Sequence, residues 1–565
     1  MPFTLKRLGN GEGVIGTQKV DPALLESTSI LADAHLTLSG SVIKALYPEM
    51  PIDLLEQLIT APKHKAIVKN QQARSFALSI DGQRNKILEI TKEVTSSGKS
   101  IAIITPTRDI GKHIEQLLEG TAPTCRLEGT LTTAKQKKLR EIVRSPVIPI
   151  TITTPQYAAI ASTRADEILA VNVSEAGWTM VKEPRVSFLQ WLSLYTEKAG
   201  KPITHLGSTI PLTIATGSTV TIDRTPLKKR VRGVLQKLYA DTKLSEEVTQ
   251  TLQDGKNVFV LSFRKALYGI VRCGDCGVSV PCVNCGLPVT LIRKVEPRPP
   301  EELVGLAGST QAKDPRAYHC HHCQSEQPLR DLCANCGSWR LRLIKPGTES
   351  VSEDVKKAFP DAKVITIDKD IASTPKRAEE LLKKSSGGTI IVGTIYALPY
   401  LKNIGCTVIP HPENMLSIPQ YHILESARTL MEKIADITSG TIYIEAHERN
   451  DQILDLLIKP TLEEFIDSEQ KLREQLHYPP YGSIITITTS GNPTKVRESL
   501  ETLQQAFIAH DPVSLPLVVM GTKAKGGVRI HIQKGTSESE YGSLISSIIS
   551  LHPSFRLTVD PYGLE

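Results

Sequence analysis

Little in this chain points to a membrane, an export route or a disulfide framework. No apolar run approaches the length of a membrane-spanning helix, about 20 residues. The opening Met-Pro-Phe-Thr-Leu-Lys lacks the apolar stretch of a secretory signal. Both absences make the cytoplasm the expected location. Aromatic residues are scarce, at 5%. Ten cysteines in a reducing compartment argue against disulfides. No internal repeat stands out apart from pairs of cysteines.

What is present is the composition of an ordinary soluble globular protein, 40% hydrophobic and 22% charged. At 565 residues the chain is too long for one core, and about three to five domains are expected. The formal charge is +7 with every cysteine counted neutral.

Eight of the ten cysteines form four C-x-x-C knuckles: Cys273/Cys276, Cys282/Cys285, Cys320/Cys323 and Cys333/Cys336. A knuckle places two sulfurs on one side of a tight turn. Gly277, Gly286 and Gly337 follow three of the pairs, where a tight turn suits glycine. Zinc takes four thiolates tetrahedrally, so eight ligands predict two closed Zn²⁺ sites. A closed site has no open position for water, so both ions are expected to be structural. A redox role needs one pair, not four. Each filled site carries about −2, so two remove about four positive charges and leave a mildly basic protein. His319, His321 and His322 crowd the third knuckle and are expected to face solvent or phosphate. Arg272, Arg293, Lys294, Arg316, Arg330, Arg340, Arg342 and Lys345 surround the cysteines. They either offset the anionic sites or form a phosphate-contacting surface. Cys125 and Cys406 stand alone and are expected to be inert core residues.

From 51 to 225, apolar runs such as Ser100–Thr105 and Ile148–Thr153 alternate with helical stretches at 86–97, 109–118 and 133–144. That alternation predicts a parallel sheet with crossover helices. A second α/β block covers 226–272 and 341–450, with the cysteine module of 273–340 inserted between its strands. Its expected strands are 257–262, 363–368, 389–393 and 441–445. Residues 295–316, rich in proline and glycine, read as an exposed loop. Beyond the helix at 461–476, residues 451–565 form a small α+β domain with a helix near 539–551.

The knuckle array, with Gly347-Thr348-Glu349 after it and Phe359-Pro360 … Asp368-Lys369-Asp370 beyond, resembles primosomal protein N-prime, the PriA replication-restart helicase family. Tyr478-Pro479-Pro480-Tyr481 and Val559-Asp560-Pro561 resemble the family's terminal domain. The resemblance runs from about residue 65 to 565. It implies two RecA-like helicase lobes, an inserted two-zinc module and an α+β terminal domain. It also implies nested pairing: Cys273, Cys276, Cys333 and Cys336 on one zinc; Cys282, Cys285, Cys320 and Cys323 on the other. Residues 1–50 read as a shortened remnant of the family's N-terminal DNA-binding domain, with 35–50 resembling its closing part.

The family's ATP chemistry needs a glycine loop with lysine, an acidic box for Mg²⁺ and arginines from the second lobe. The first aligns with Ser79–Lys86, which keeps Gly82 and Lys86 but not the pattern. Gly98-Lys99-Ser100 falls before a strand and is rejected. The acidic box aligns with Ser174-Glu175-Ala176-Gly177, where only Glu175 survives; Lys182 and Pro184-Arg185 keep the register. Gly207–Pro211 and Gly393-Thr394-Ile395 partly keep two coupling motifs. Asp436–Gly440 stands where the family carries two arginines. The expectation is a DNA-binding protein of replication restart without ATP hydrolysis and not an enzyme. ATP and Mg²⁺ are not expected as cofactors, and any remaining nucleotide site would lie near Gly82, Lys86 and Glu175. Expected partners are forked or branched DNA, primosome proteins and single-strand-binding protein. Two alternatives stand beside it: an active 3′–5′ DNA helicase with divergent motifs, and a protein-interaction scaffold without DNA affinity.

Overall fold

The computed structural model describes residues 5–6, 14–15, 22–34, 42, 46, 73–130, 132–144, 148–175, 177–179, 187–235, 238–263, 270–283, 288–293, 316–320, 325–344, 348–369, 371–372, 374–383, 387–416, 420–446, 453–508, 512–520, 523–533 and 555–560. The chain divides into two compact units. The first holds 1–224, 483–487 and 532–560; the second holds 225–482, 488–531 and 561–565.

In the first unit β1 (Leu5–Lys6) and β2 (Val14–Ile15) pair antiparallel. Seven further strands form one sheet: β3 (Ala73–Leu78), β4 (Ile101–Ile104), β5 (Thr124–Leu127), β6 (Ile150–Thr153), β7 (Glu167–Val171), β8 (Ile203–Gly207) and β9 (Ser218–Asp223). Their order is β5-β6-β4-β7-β8-β3-β9, parallel at every pair. All four residues of β4 are buried. A continuous apolar run is what a parallel strand covered on both faces requires. The cover includes Ile87, Ile90 and Val94 of α2 (Ile80–Ser96) and Ile114 of α3 (Arg108–Leu117), which pack on Ile101, Ile103, Ile150, Ile152 and Leu206. Helix α1 (Pro22–Ala34) lies on α6 (Phe188–Ala199), and Lys198 pairs with Glu26 at 2.6 Å. Between them in sequence come α4 (Thr133–Arg144) and α5 (Pro155–Arg164). Of the 35–50 segment only Val42 and Leu46 are among the described residues.

His205 of β8 is fully buried, with its Nδ1 3.2 Å from Ser75 Oγ, which also meets Ser218 Oγ at 2.8 Å. Burial pushes its pKa down to about 4. The folded value lies below the unfolded one, so the neutral ring's contribution is complete above about pH 6.5 and is lost as pH falls toward 4. A shift of that size is worth about 3 kcal/mol. Protection factors of the amides along β3 and β8, corrected for the intrinsic pH dependence of exchange, should therefore fall from pH 7 to pH 4.5, and His205→Leu should flatten that dependence. An unchanged slope in the variant would place the acid sensitivity elsewhere.

The second unit holds a six-stranded sheet: β10 (Val231–Leu235), β11 (Asn257–Leu261), β17 (Lys363–Ile367), β18 (Thr389–Gly393), β19 (Ile404–Ile409) and β20 (Ile442–Ala446). The order β10-β20-β19-β11-β18-β17 is again parallel throughout. Leu244 and Val248 of α7 (Thr242–Gln253) and Val351 and Val355 of α8 (Thr348–Ala358) close its core with Val258, Ile390 and Val408. Cys406 is buried in β19 and burial raises its thiol pKa; Cys125 is buried in β5.

The cysteine module builds a sheet that the sequence did not suggest. Strands β12 (Ile270–Cys273), β13 (Thr290–Arg293), β14 (Arg316–His319), β15 (Glu326–Gln327) and β16 (Leu341–Ile344) run in the order β15-β14-β13-β12-β16, antiparallel throughout. The loop expected at 295–316 lies outside the described residues except for Arg316, which opens β14.

Helices α9 (Pro375–Lys383), α10 (Ile423–Ile437), α11 (Leu462–Gln475) and α12 (Pro493–Ala506) follow. Strands β21 (Gly482–Gly491), β22 (Val513–Met520), β23 (Lys523–Gln533) and β24 (Arg556–Val559) form a sheet in the order β22-β23-β21-β24. The helix expected near 539–551 lies outside the described residues. Among the described residues no helix is long and apolar enough to cross a membrane.

Candidate metal centre and the nucleotide-site positions

Strand β12 delivers Cys273 at its end, and the turn that follows carries Cys276. Cys333 and Cys336 come from the turn before β16, the neighbour of β12. All four sulfurs lie within 4.8 Å of one another, with Cys273–Cys336 and Cys276–Cys333 at 3.6 Å. Four Zn–S bonds of about 2.3 Å in a tetrahedron put sulfurs about 3.8 Å apart, so this cluster fits a zinc ion. The two turns are built alike. Gly277 N–H donates to Cys273 O at 3.1 Å and Gly337 N–H to Cys333 O at 2.9 Å. Both glycines sit at positive φ, +77° and +71°, a conformation that side chains disfavour. Burial acts to raise the Cys273 thiol, but hydrogen bonds from the Cys276 and Asp275 backbone overcome it and bring it down to about 6. Burial raises Cys333.

Cys282 and Cys320 are buried in the same module. Cys282 Sγ lies 2.9 Å from Ser325 Oγ. Cys285, Cys323, His321 and His322 lie outside the described residues. One backbone feature links the third knuckle to the first and fourth. The Cys320 N–H donates to Ser325 O at 2.9 Å, as Cys273 donates to Val278 at 2.9 Å and Cys333 to Ser338 at 2.7 Å. All three bonds span five residues. His319 is buried in β14, so its expected exposure is corrected: strand pairing turns it inward.

The basic residues around the module divide. Arg272 is largely buried. Its side chain is only 11% exposed and meets Glu413 at 3.2 Å, Glu445 at 3.5 Å and His411 Nδ1 at 3.1 Å, and it also donates to Gly277 O. Glu413 follows β19 and Glu445 lies on β20, so Arg272 ties the cysteine sheet to the parallel sheet of its unit. Arg340 pairs with Asp275 at 3.0 Å. Arg340 and Arg342 are exposed, and Arg330 is half-buried. Lys294 and Lys345 lie outside the described residues, as do the side chains of Arg293 and Arg316.

The positions aligned with ATP chemistry have other occupations. Strand β3 ends at Leu78 and α2 begins at Ile80, so Ser79 alone connects them. Ser79 Oγ caps the helix by accepting from Gly82 N–H at 3.2 Å. Gly82 and Lys86 are thus helical residues; the expected start at 86 is corrected to Ile80, because the Ser79 cap begins the helix ahead of the glycine. Asp81 places a carboxylate in the first turn, where the helix dipole favours an anion. Lys86 Nζ bonds Glu89 at 2.7 Å and sits over the Phe76 ring at 4.8 Å. Glu175 lies in the turn after β7, its N–H donating to Asn172 O at 2.9 Å. Ala176, Lys182, Pro184 and Arg185 lie outside the described residues. At 436–440 Thr438 is buried and Ser439 is exposed. Thr438 Oγ1 bonds Thr407 Oγ1 at 2.6 Å, Ser439 Oγ bonds Ile404 O at 3.1 Å, and Arg230 donates to the carbonyls of Thr438 and Gly440.

No family model matches the chain. Several proteins called replication restart protein PriA do. That of Thermotoga maritima is 26% identical over 336 residues, 57% of this chain and 42% of that protein. That of Bacillus subtilis is 24% identical over 256 residues, 44% and 29% of the two chains. That of Rickettsia conorii is 22% identical over 362 residues, 60% and 51%. This chain is similar to PriA proteins, as a divergent relative.

The PriA-like chain spans about half the length of these relatives or less. Its two parallel sheets, with helices between their strands, are α/β in architecture. Among solved structures, RecG bound to a three-way DNA junction aligns with a TM-score of 0.37 and 13% identity, covering 80% of this chain and 52% of that one. A DEAD box protein from Methanococcus jannaschii aligns with a TM-score of 0.29 and 10% identity, covering 72% and 87%. Sequence reasoning missed the role of Arg272 in this PriA-like architecture. Its partners lie about 140 and 170 positions away, so no local pattern announces them.

Proposed function

We propose that this chain is a zinc-holding DNA-binding protein of replication restart whose ATPase motor is lost. One contrast carries the reading. Four thiols gather where a zinc ion fits, while the phosphate position is a capped helix start bearing Asp81. The PriA relatives supply the setting.

Cys273, Cys276, Cys333 and Cys336 hold one Zn²⁺; Cys282, Cys285, Cys320 and Cys323 hold the second. Bound zinc cross-links the turns and does no bond-making chemistry. The chain's own residues then keep the module's arginines in place. Arg342 and Arg330 contact phosphates of forked or branched DNA without reading sequence. Primosome proteins and single-strand-binding protein are the proposed protein partners. ATP binding would put phosphate against Asp81 at a helix start with no loop to receive it, and no arginine of 436–440 could meet transition-state charge.

Fluorescence titration with forked DNA across a salt series, with and without ATP and Mg²⁺, tests this. Two phosphate contacts give a log–log slope of about −1.8, so affinity should fall about twelvefold over a fourfold rise in salt. ATP should change nothing, and no DNA-stimulated hydrolysis should appear. Hydrolysis at saturating fork would establish an active helicase instead. Absence of binding at low salt would favour a protein-interaction scaffold.

A further inference from the structure

The chain has three tryptophans. Trp178 and Trp191 are buried, but Trp339 is 77% exposed. It stands just past the fourth knuckle. Val283 and Leu332, also on the module, are 62% and 55% exposed. Leaving an indole in water forfeits the burial that an aromatic ring ordinarily brings.

Trp339 is not on a loose loop. Cys333 N–H donates to Ser338 O at 2.7 Å, and Gly274 N–H donates to Arg340 O at 2.7 Å. Asp275 accepts from Ser338 Oγ at 2.5 Å and from Arg340 at 3.0 Å. Both sequence neighbours of the tryptophan are therefore pinned to the first knuckle. The ring is presented on fixed backbone. Asp275 is engaged by Arg340. Arg342 is exposed three positions on, at most about 11 Å of chain away. An exposed aromatic face with an exposed cation within that reach suits a base and a neighbouring phosphate.

We infer that Trp339 is a stacking platform for an unpaired base of single-stranded DNA, with Arg342 on the adjoining phosphate. The inference rests on the DNA-binding reading above and adds to it the strand type and the contact.

The test uses the full chain with zinc content checked, a thymidine oligomer of about ten nucleotides, and an abasic oligomer of equal length. As the exposed tryptophan, Trp339 should supply the red-edge emission, and the thymidine oligomer should quench it. The intact protein should bind the thymidine oligomer about tenfold tighter than the abasic one, a difference of about 1.4 kcal/mol. Trp339→Ala should abolish that preference and Trp339→Phe should keep most of it. Equal thymidine binding by the intact protein and Trp339→Ala, without quenching, overturns the inference and leaves forked-DNA binding standing. Quenching by a polyglutamate peptide but not by the oligomer overturns it in favour of an acidic protein partner. Failure to bind forked DNA at all overturns both readings.

Discussion

Cys333→Ser is expected to lower the zinc content of the purified protein from two ions per chain to one. The Cys333 sulfur is buried and stands 3.6 Å from that of Cys276. A serine hydroxyl stays protonated and hard where the cluster needs a soft thiolate. Apparent binding free energies of structural zinc are about 10–16 kcal/mol, and that energy is folding energy for a small module. Loss of the ion should thus expose the turns at 273–277 and 333–337 to limited proteolysis, while the parallel sheets stay protected. Elemental analysis reads the ion count. Pairing is decided by Cys276→Ser combined with Cys333→Ser. If the two cysteines share one zinc, the double variant still keeps one ion. If the first two knuckles shared one ion and the last two the other, it would keep none. Cys125→Ser should leave both ions in place.

The second large effect concerns Arg272→Met, expected to destabilise the second unit by about 3–5 kcal/mol. The substitution keeps the stem but leaves Glu413, 3% exposed in its side chain, and Glu445 without the guanidinium that offsets them. Breaking a buried pair costs more than the pair contributes, because the remaining charge is still out of water. Removing one of the two carboxylates as well should therefore restore part of the loss. Denaturant midpoints for Arg272→Met, Glu413→Gln and the double variant form the cycle. Additive losses would mean that the three side chains do not act as a unit.

The parallel sheets were legible because their strands are apolar runs and their helices show helical spacing. The stretch expected at 389–393 is β18 as observed, and 133–144 is α4. The antiparallel cysteine sheet was not. Its strands are two to four residues long, too short for an alternation to register, and ligand spacing fixes the turns between them. The helix expected from 86 starts at Ile80, because the stretch aligned with a phosphate loop is instead capped by Ser79 and carries Asp81 in the first turn. The eight cysteines stand out in the sequence, but their division into sets rests on resemblance; the structure brings together the sulfurs of Cys273, Cys276, Cys333 and Cys336. Arg272 read as one of many charges near an anionic site. Only the long-range geometry shows that it is a strut.

The single residue between β3 and α2 has a consequence for any attempt at repair. A phosphate cradle is a length of backbone whose N–H groups turn inward around an anion. Ser79 leaves no such length. Restoring glycines and a lysine at 79–86 by exchange would weaken a capped helix and still supply no loop. On the proposed reading, gaining such a cradle would take inserted codons rather than altered ones, and a library of point substitutions, however large, would not contain it.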